Sequence, residues 1–272
     1  MPAFVLDMRS DPQGGAVVPA RLTGGTLDAL RQCPTVVFMV HGFNVNRADG
    51  AAELAALGAH LPAIGAGAAV AVLWPGDSSL GPLSYPFETN KADDSGIELA
   101  TFIGDNLPQR AAISFIGHSL GCRVVMETVR QLWVKGIPVS QVCVMAAAVD
   151  NDSLGSADAY FGAAQFAARV GVLHSPADRV LEFAYPLGNL VSAFIHWSPT
   201  RDAALGYTGP CASDSSPGNP PPKVAGVGIP AAEGVGHGDY LPAPTGALNG
   251  RQQAAARFAN SMLAGVTPLV YG

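Results

Sequence analysis

Short apolar runs alternate along the chain with longer stretches in which apolar residues recur every three or four positions. Apolar runs of four to eight residues are typical of strands buried on both faces, and the longer spacing is typical of amphipathic helices. The predicted strands cover residues 3–8, 17–22, 35–40, 68–74, 111–117, 139–147, 169–175 and 223–229. The predicted helices cover residues 48–61, 91–107, 119–134, 154–168, 177–185 and 249–264. This alternation predicts an α/β protein with a mostly parallel sheet and helices on both faces.

Two stretches interrupt the alternation. Residues 75–90 contain three prolines and two glycines, and residues 206–222 are rich in Gly, Pro and Ser. Each is either a plain surface connection or part of the rim of a site, because loops at the carboxyl ends of parallel strands build the pockets of such sheets. We expect a single domain over residues 1–272, with 75–90 and 186–222 as candidate rim insertions.

Composition narrows the class of protein. The 272 residues are 49% hydrophobic and 13% charged, but no apolar run reaches the roughly 18 residues of a membrane span. The amino terminus lacks the basic start and long apolar core of a secretion signal, so a cytoplasmic location is expected. A formal charge of −6 disfavours nucleic acid as a partner. The low charge leaves room for a buried interface in a homo-oligomer.

The four cysteines lie far apart in sequence, and none forms a C-x-x-C pair. We therefore predict neither a structural disulfide nor a zinc site.

The most informative motif is Gly117-His118-Ser119-Leu120-Gly121, between an apolar run and an amphipathic segment. A serine hydroxyl becomes a nucleophile only when it is held clear of its neighbours and deprotonated by a base. A tight turn between strand and helix presents it, and glycines two residues before and after relieve the crowding of that turn. The motif therefore predicts Ser119 as a nucleophile.

Three histidines follow Ser119 and are candidates for its base: His174, His196 and His237. In a strand–turn–helix hydrolase the chain order is Ser, then Asp or Glu, then His. His237 lies in a glycine-flanked loop between the last predicted strand and the last predicted helix. We therefore predict His237 as the base, with His196 packed in the core and His174 at a strand end near the site.

The orienting acid is either Asp178 or Asp150. Asp178 follows a predicted strand on a loop at the carboxyl edge of the sheet, and Asp150 ends the preceding strand. Loop placement favours Asp178, and Asp239 is too close in sequence to His237 to orient it easily.

A second candidate motif, His41-Gly42-Phe43-Asn44, closes the third predicted strand. A glycine lets the backbone turn back toward the pocket, so the amides of Phe43 and Leu120 are predicted to bind the developing oxyanion. His41 is expected to brace this loop, and Phe43, Trp74, Tyr85 and Phe87 are candidate walls of an acyl pocket.

With these motifs in place, the chain resembles the α/β-hydrolase superfamily, and within it the bacterial α/β hydrolases of unknown function called DUF900. The likeness also includes Leu73-Trp74-Pro75-Gly76-Asp77, Ala146-Ala147-Ala148-Val149-Asp150 and Gly236-His237-Gly238-Asp239-Tyr240. The resemblance implies an eight-stranded sheet and hydrolysis through an acyl-enzyme on Ser119, with His237 as general base and Asp178 as orienting acid. It implies no particular substrate.

The expected activity is therefore hydrolysis of a small-molecule acyl ester by a serine hydrolase that needs no cofactor and no metal. Two alternatives stay open at this stage. The same residues serve an amidase, a thioesterase or a lipid-ester hydrolase. A hydrolase fold can also act as a non-catalytic binding module, because a fold alone does not determine function.

Overall fold

The computed structural model describes residues 4–10, 15–77, 85–107, 111–155, 158–182, 203–211, 219–243 and 248–272, with the side chains of 85–87 not included. Its strands are β1 (Phe4–Arg9), β2 (Val17–Gly24), β3 (Thr35–Val40), β4 (Ala68–Leu73), β5 (Ala112–His118), β6 (Gln141–Met145), β7 (Arg169–His174) and β8 (Val224–Gly228). Its helices are α1 (Leu27–Gln32), α2 (Arg47–Ala59), α3 (Tyr85–Asn106), α4 (Gly121–Val134), α5 (Phe161–Phe166), α6 (Leu205–Thr208) and α7 (Gly250–Leu263). Short 3₁₀ turns cover Pro62–Ile64, Ala231–Glu233 and His237–Asp239, and residues 179–182 are helical.

The eight strands form one sheet in the order β2-β1-β4-β3-β5-β6-β7-β8. Only the edge pair β1 and β2 is antiparallel, and every other neighbouring pair is parallel. From β3 the chain crosses to β4 on one side, and from β5 it crosses to β6 on the other. Because such crossovers are right-handed, α2 and α4 cover opposite faces of the sheet. The prediction of an α/β-hydrolase fold with an eight-stranded, mostly parallel sheet is confirmed.

The core lies on both faces of the central strands. All six residues of β4 are buried, and β3 and β5 are buried except at their first residues. On one face α4 packs against both α3 and α5, while α7 contacts β6 and β7. Among the described residues, no helix is long and apolar enough to cross a membrane.

All eight predicted strands are present, but β6 ends at Met145 rather than at residue 147. Ala146 has a φ of 48°, and this left-handed conformation cannot continue a strand. A Cβ on Gly206 would lie 2.2 Å from the Ala146 carbonyl carbon. The close packing of α6 against the bend at Ala146 therefore requires glycine at position 206.

Two helix predictions were inaccurate. The helix predicted over 154–168 covers only Phe161–Phe166, because hydrogen-bonded turns occupy residues 150–155. The α3 helix begins at Tyr85 rather than at residue 91, so part of the proposed rim segment 75–90 is helical. Proline is tolerated in the first turn of a helix, where its missing N–H has no intrahelical acceptor. The short helices α1 and α6 were not predicted.

The register of the sheet determines which loops meet. Val40 lies opposite Gly117 in β3 and β5, and His118 lies opposite Met145 in β6. The loops that follow β3 and β5 therefore begin side by side at the carboxyl edge. In doubly wound sheets, ligands bind at this edge, where successive connections run in opposite directions.

Candidate functional site

Ser119 lies in the turn between β5 and α4 with a φ of 55°. This left-handed conformation is strained for a residue with a side chain, and strain of this kind is concentrated at functional sites. The flanking glycines are required by contact. A Cβ on Gly117 would lie 2.9 Å from the Cys122 Cα, and a Cβ on Gly121 would lie 2.2 Å from the His41 carbonyl oxygen. The two glycines let the turn pack tightly against its own helix and against the loop after β3.

Three side chains distant in sequence meet at this turn. His237 Nε2 lies 2.8 Å from Ser119 Oγ, and His237 Nδ1 lies 2.8 Å from Asp178 Oδ2. The second carboxylate oxygen of Asp178 accepts a hydrogen bond from the Leu181 amide at 3.1 Å, where residues 179–182 begin a helical turn. Asp178 is therefore held from one side by backbone and presents its free oxygen to the histidine.

Burial increases from the base to the acid. The His237 side chain is 18% exposed, Ser119 is 5% exposed and Asp178 is fully buried. An ionised carboxylate only accepts hydrogen bonds, so the Asp178 contact requires His237 to carry its proton on Nδ1. Nε2 is then the acceptor for the Ser119 hydroxyl. This is the tautomer that can remove the serine proton.

The loop that follows β3 approaches the serine closely. A Cβ on Gly42 would lie 3.0 Å from the Ser119 Cβ and 3.1 Å from His118 Nδ1, so this position favours glycine. Phe43 follows Gly42 and lines the cavity above Ser119. Leu120 caps the amino end of α4, where amides have no intrahelical acceptor and the helix dipole favours negative charge.

Three hydrogen bonds hold this loop from behind. The Trp74 indole Nε1 donates to the His41 carbonyl at 2.9 Å, and the Asn44 amide donates to the Gly76 carbonyl at 2.8 Å. The buried Arg9 guanidinium donates to the Val45 carbonyl at 3.1 Å and forms an ion pair with Asp77. The Trp-Pro-Gly-Asp segment after β4 therefore supports the loop, a role that sequence reasoning did not assign to it.

A cavity of about 310 Å³ opens over Ser119 and His237. Its walls combine backbone from the two turns with apolar and polar side chains. The lining residues are Gly42, Phe43, Val45, Glu53, His118, Ser119, His237, Gly238, Leu241, Pro242, Ala243 and Gln252. Its size and mixed walls suit part of a small organic molecule.

The family model described as α/β hydrolase of unknown function (DUF900) matches residues 28–199. This is more than half of the chain. The protein belongs to the DUF900 family.

Solved structures with the same fold resemble this DUF900 protein only distantly. TT1662 from Thermus thermophilus is 14% identical, with 96% of this chain and 97% of that chain covered and a TM-score of 0.48. The propionate-bound esterase Est2 from Thermogutta terrifontis is 12% identical over 88% and 86%, with a TM-score of 0.47. Carboxyl esterase 2 from Tuber melanosporum is 11% identical over 96% and 87%, with a TM-score of 0.46. No curated protein matches the chain.

His118 is the site residue that sequence reasoning missed. Its Nε2–H donates to the His237 carbonyl at 2.9 Å, and the two imidazole rings lie 5.0 Å apart. Burial, followed by the nearby His237, lowers the pKa of His118 to about 3, so it remains a neutral donor. The sequence places His118 inside the Gly-x-Ser-x-Gly motif. No feature of the sequence indicates that its side chain contacts a loop 119 residues away.

Two further contacts fix the loop that carries His237. The Ser175 hydroxyl donates to the Val235 carbonyl at 2.7 Å. The Asp239 carboxylate accepts from the Gly236 amide at 2.9 Å and from Arg251 at 3.1 Å. Asp239 therefore shapes the loop, while Asp178 contacts the imidazole.

The other residues that were predicted to lie at the site make different contacts or lie outside the described residues. Asp150 forms an isolated antiparallel bridge with Ala204, and its carboxylate is not the one that contacts His237. Trp74 is completely buried against His41, with ring centroids 5.9 Å apart. The prediction that Trp74 lines the pocket was wrong, because it is absent from the wall of this cavity. His196 and the side chains of Tyr85 and Phe87 lie outside the described residues.

The two buried histidines beside Ser119 make the stability of this DUF900 protein sensitive to acid. Burial lowers the pKa of His41 to about 4 and that of His118 to about 3. Between pH 6.5 and 4 the unfolded chain binds protons that the folded protein does not, so the free energy of unfolding falls as the pH falls. We expect each histidine to account for about 2 kcal/mol of the loss between pH 7 and pH 5.

Urea unfolding of the wild type and His118→Gln at both pH values measures this effect. The loss on going to pH 5 should be smaller in the variant by about 2 kcal/mol, the contribution of one histidine. His60→Gln, at the exposed end of α2, should leave the loss unchanged. An equal loss in His118→Gln and the wild type would contradict the prediction.

Proposed function

We propose that this DUF900 protein is a serine hydrolase that cleaves a carboxylic ester of a small molecule through an acyl-enzyme on Ser119. The observation that carries the proposal is the continuous contact from Ser119 Oγ through His237 to Asp178, at 2.8 Å in both steps. This geometry lies at a strained turn beneath a cavity of suitable size. A structural cluster would not need the left-handed serine.

In the proposed reaction, His237 Nε2 takes the proton of Ser119 as Oγ attacks the ester carbonyl carbon. The imidazolium then donates that proton to the departing alkoxide, and the C–O bond to the alcohol breaks. Water attacks the acyl-enzyme with His237 again as the base, and the carboxylic acid and free serine are regenerated. Asp178 keeps the imidazole in the required tautomer and stabilises its charged form.

The proposed oxyanion donors are the backbone amides of Leu120 and Phe43. Leu120 lies at the start of α4, and the Phe43 loop is held against Ser119 by the contacts of Gly42 and by Trp74, Asn44 and Arg9 from behind. A loop held in this way pays little reorganisation energy when the oxyanion forms, and such preorganised donors contribute strongly to catalysis.

A fluorophosphonate probe tests the proposal directly. We expect the native protein to form one Ser119 Oγ–phosphorus bond with loss of fluoride, because the probe requires an activated serine. Peptide mass spectrometry locates the adduct, and His237→Ala should label far more slowly. An unlabelled native protein, or labelling that persists equally after heat denaturation, would contradict the proposal.

The identity of the bond that is cleaved is tested on the same sample. p-Nitrophenyl butyrate, the matching p-nitroanilide and the matching thioester share one acyl group, so their kcat/KM values compare the leaving atom alone. We expect the ester to be hydrolysed fastest. A higher value for the anilide or the thioester would reassign the reaction while leaving Ser119 as the nucleophile.

A further inference from the structure

Glu53 is the acidic side chain in the wall of the cavity above Ser119. It lies on α2, the helix that follows the Phe43 loop, and it is partly buried. Apolar side chains, among them Phe43, Val45 and Leu241, share this wall with it. A carboxyl group in such a wall is costly unless a ligand or partner satisfies it.

The other polar side chains of the cavity are already engaged. Ser119, His237 and His118 are hydrogen-bonded to one another or to backbone. Gln252 donates to the Leu241 carbonyl at 2.8 Å and accepts from the Asn249 amide at 3.0 Å. Glu53 makes no hydrogen bond or ion pair with any described residue, so its oxygens are available to a molecule in the cavity.

The local charge favours a cation as that molecule. Asp49 lies one turn earlier on α2, with its carboxylate held at 2.6 Å by the Asn46 side chain. Burial, and after it the charge of Asp49, raise the pKa of Glu53 to about 7. A positive group placed beside Glu53 would relieve both unfavourable effects.

The arginines of this region face other acids. Arg9 is paired with Asp77, and Arg47 Nε lies 3.0 Å from Asp7. Within the described part of the chain, no lysine or arginine appears in the wall of the cavity. Since the described lining residues include no such side chain, the ligand is the candidate source of a positive charge beside Glu53.

We propose that Glu53 determines specificity by binding an ammonium group of the substrate, so that the preferred esters carry a cationic amine. This inference rests on the proposed function and names its substrate class. The apolar walls contact the hydrocarbon part of the substrate, and Glu53 accepts hydrogen bonds or binds the charge at one end. The amine lies on the acyl group or on the alcohol.

Two pairs of isosteric esters test the proposal on the full-length protein. p-Nitrophenyl 6-aminohexanoate and p-nitrophenyl heptanoate differ in an ammonium in place of a methyl group on the acyl side. Butyrylcholine and 3,3-dimethylbutyl butyrate differ on the alcohol side, where the first has a positively charged trimethylammonium group and the second has a neutral tert-butyl group. In at least one pair, we expect the wild type to have the higher kcat/KM for the cationic ester.

Glu53→Gln keeps the size of the side chain and removes its charge. We expect this variant to lower the preference for the cationic ester by about tenfold, because a carboxylate attracts a cation and the neutral amide does not. The value for the neutral ester should fall less than the value for the cationic ester, because its hydrocarbon end carries no charge for residue 53 to bind. Glu233→Gln, an exposed acid outside this cavity, should leave both values unchanged.

The outcomes separate the two proposals. Suppose that the esters are hydrolysed, and that in both pairs the ratio of kcat/KM for the cationic ester to that for the neutral ester is the same in the wild type and in Glu53→Gln. This result would overturn the role of Glu53 and leave the hydrolase proposal standing. Absence of turnover for all four esters together with absence of fluorophosphonate labelling would overturn the proposed function, and this inference with it.

Discussion

Ser119→Ala is expected to lower kcat/KM for p-nitrophenyl butyrate by about 10⁵-fold or more, as the loss of a catalytic serine does in other serine hydrolases. The reason is that no acyl-enzyme can form without Oγ, and the remaining amides and His237 can assist only direct attack by water. Among the described residues, the Ser119 side chain is hydrogen-bonded to His237 and to no other group. Alanine also retains the Cβ and therefore the same backbone strain at φ 55°.

The melting temperature should consequently change little, which separates loss of chemistry from loss of fold. Steady-state kinetics and calorimetry on one preparation measure both. Ser261→Ala on α7, outside the lining of the cavity, is the matched control and should keep full activity. Retention of more than a tenth of wild-type activity in Ser119→Ala would contradict the nucleophile assignment.

Asp178→Asn is expected to lower kcat by about 10⁴-fold, the effect of the same change in serine proteases. The Leu181 amide donates to one side-chain oxygen of residue 178, and asparagine can satisfy that donor only with its carbonyl oxygen. Its NH₂ group then faces His237 Nδ1, which must act as acceptor. The His237 proton moves to Nε2, and the imidazole can no longer accept the proton of Ser119.

Asp150→Asn is the matched control. Asp150 was the alternative candidate for the orienting acid in the sequence analysis, and Asp178 is the aspartate that contacts His237. We expect its kcat to stay within about twofold of the wild type, as for substitutions remote from the reacting groups. Single-turnover measurements with p-nitrophenyl butyrate separate acylation from deacylation in both variants. A larger loss of kcat in Asp150→Asn than in Asp178→Asn would identify Asp150, and not Asp178, as the orienting acid.

The strands could be predicted because burial on both faces leaves a local signal in the sequence. The β3, β4 and β5 strands are almost continuously apolar, and their predicted bounds agree with the structure to within a residue or so. The short helices α1 and α6 left a weaker signal. With six and four residues, each is too short for the helical period to repeat.

The candidate nucleophile was also predictable, because the strand, the turn and its two glycines are neighbours in the chain. The contacts of Gly117 and Gly121 explain why the motif has this form. By contrast, the local pattern favoured Asp178 over Asp150 by loop placement but could not decide between them. Each aspartate follows a buried strand, and only the path of the chain after β7 brings one carboxylate to 2.8 Å from the imidazole.

By itself, the sequence determined the α/β class, the parallel core and the turn that presents Ser119, since these depend on residues within about ten positions of one another. The tertiary structure alone decided which acid faces His237, how His118 and Arg9 hold the two loops, and that Glu53 enters the cavity wall. His237 lies 118 residues from Ser119 and 59 from Asp178. Contacts over such separations arise from strand order and register, which no local periodicity encodes.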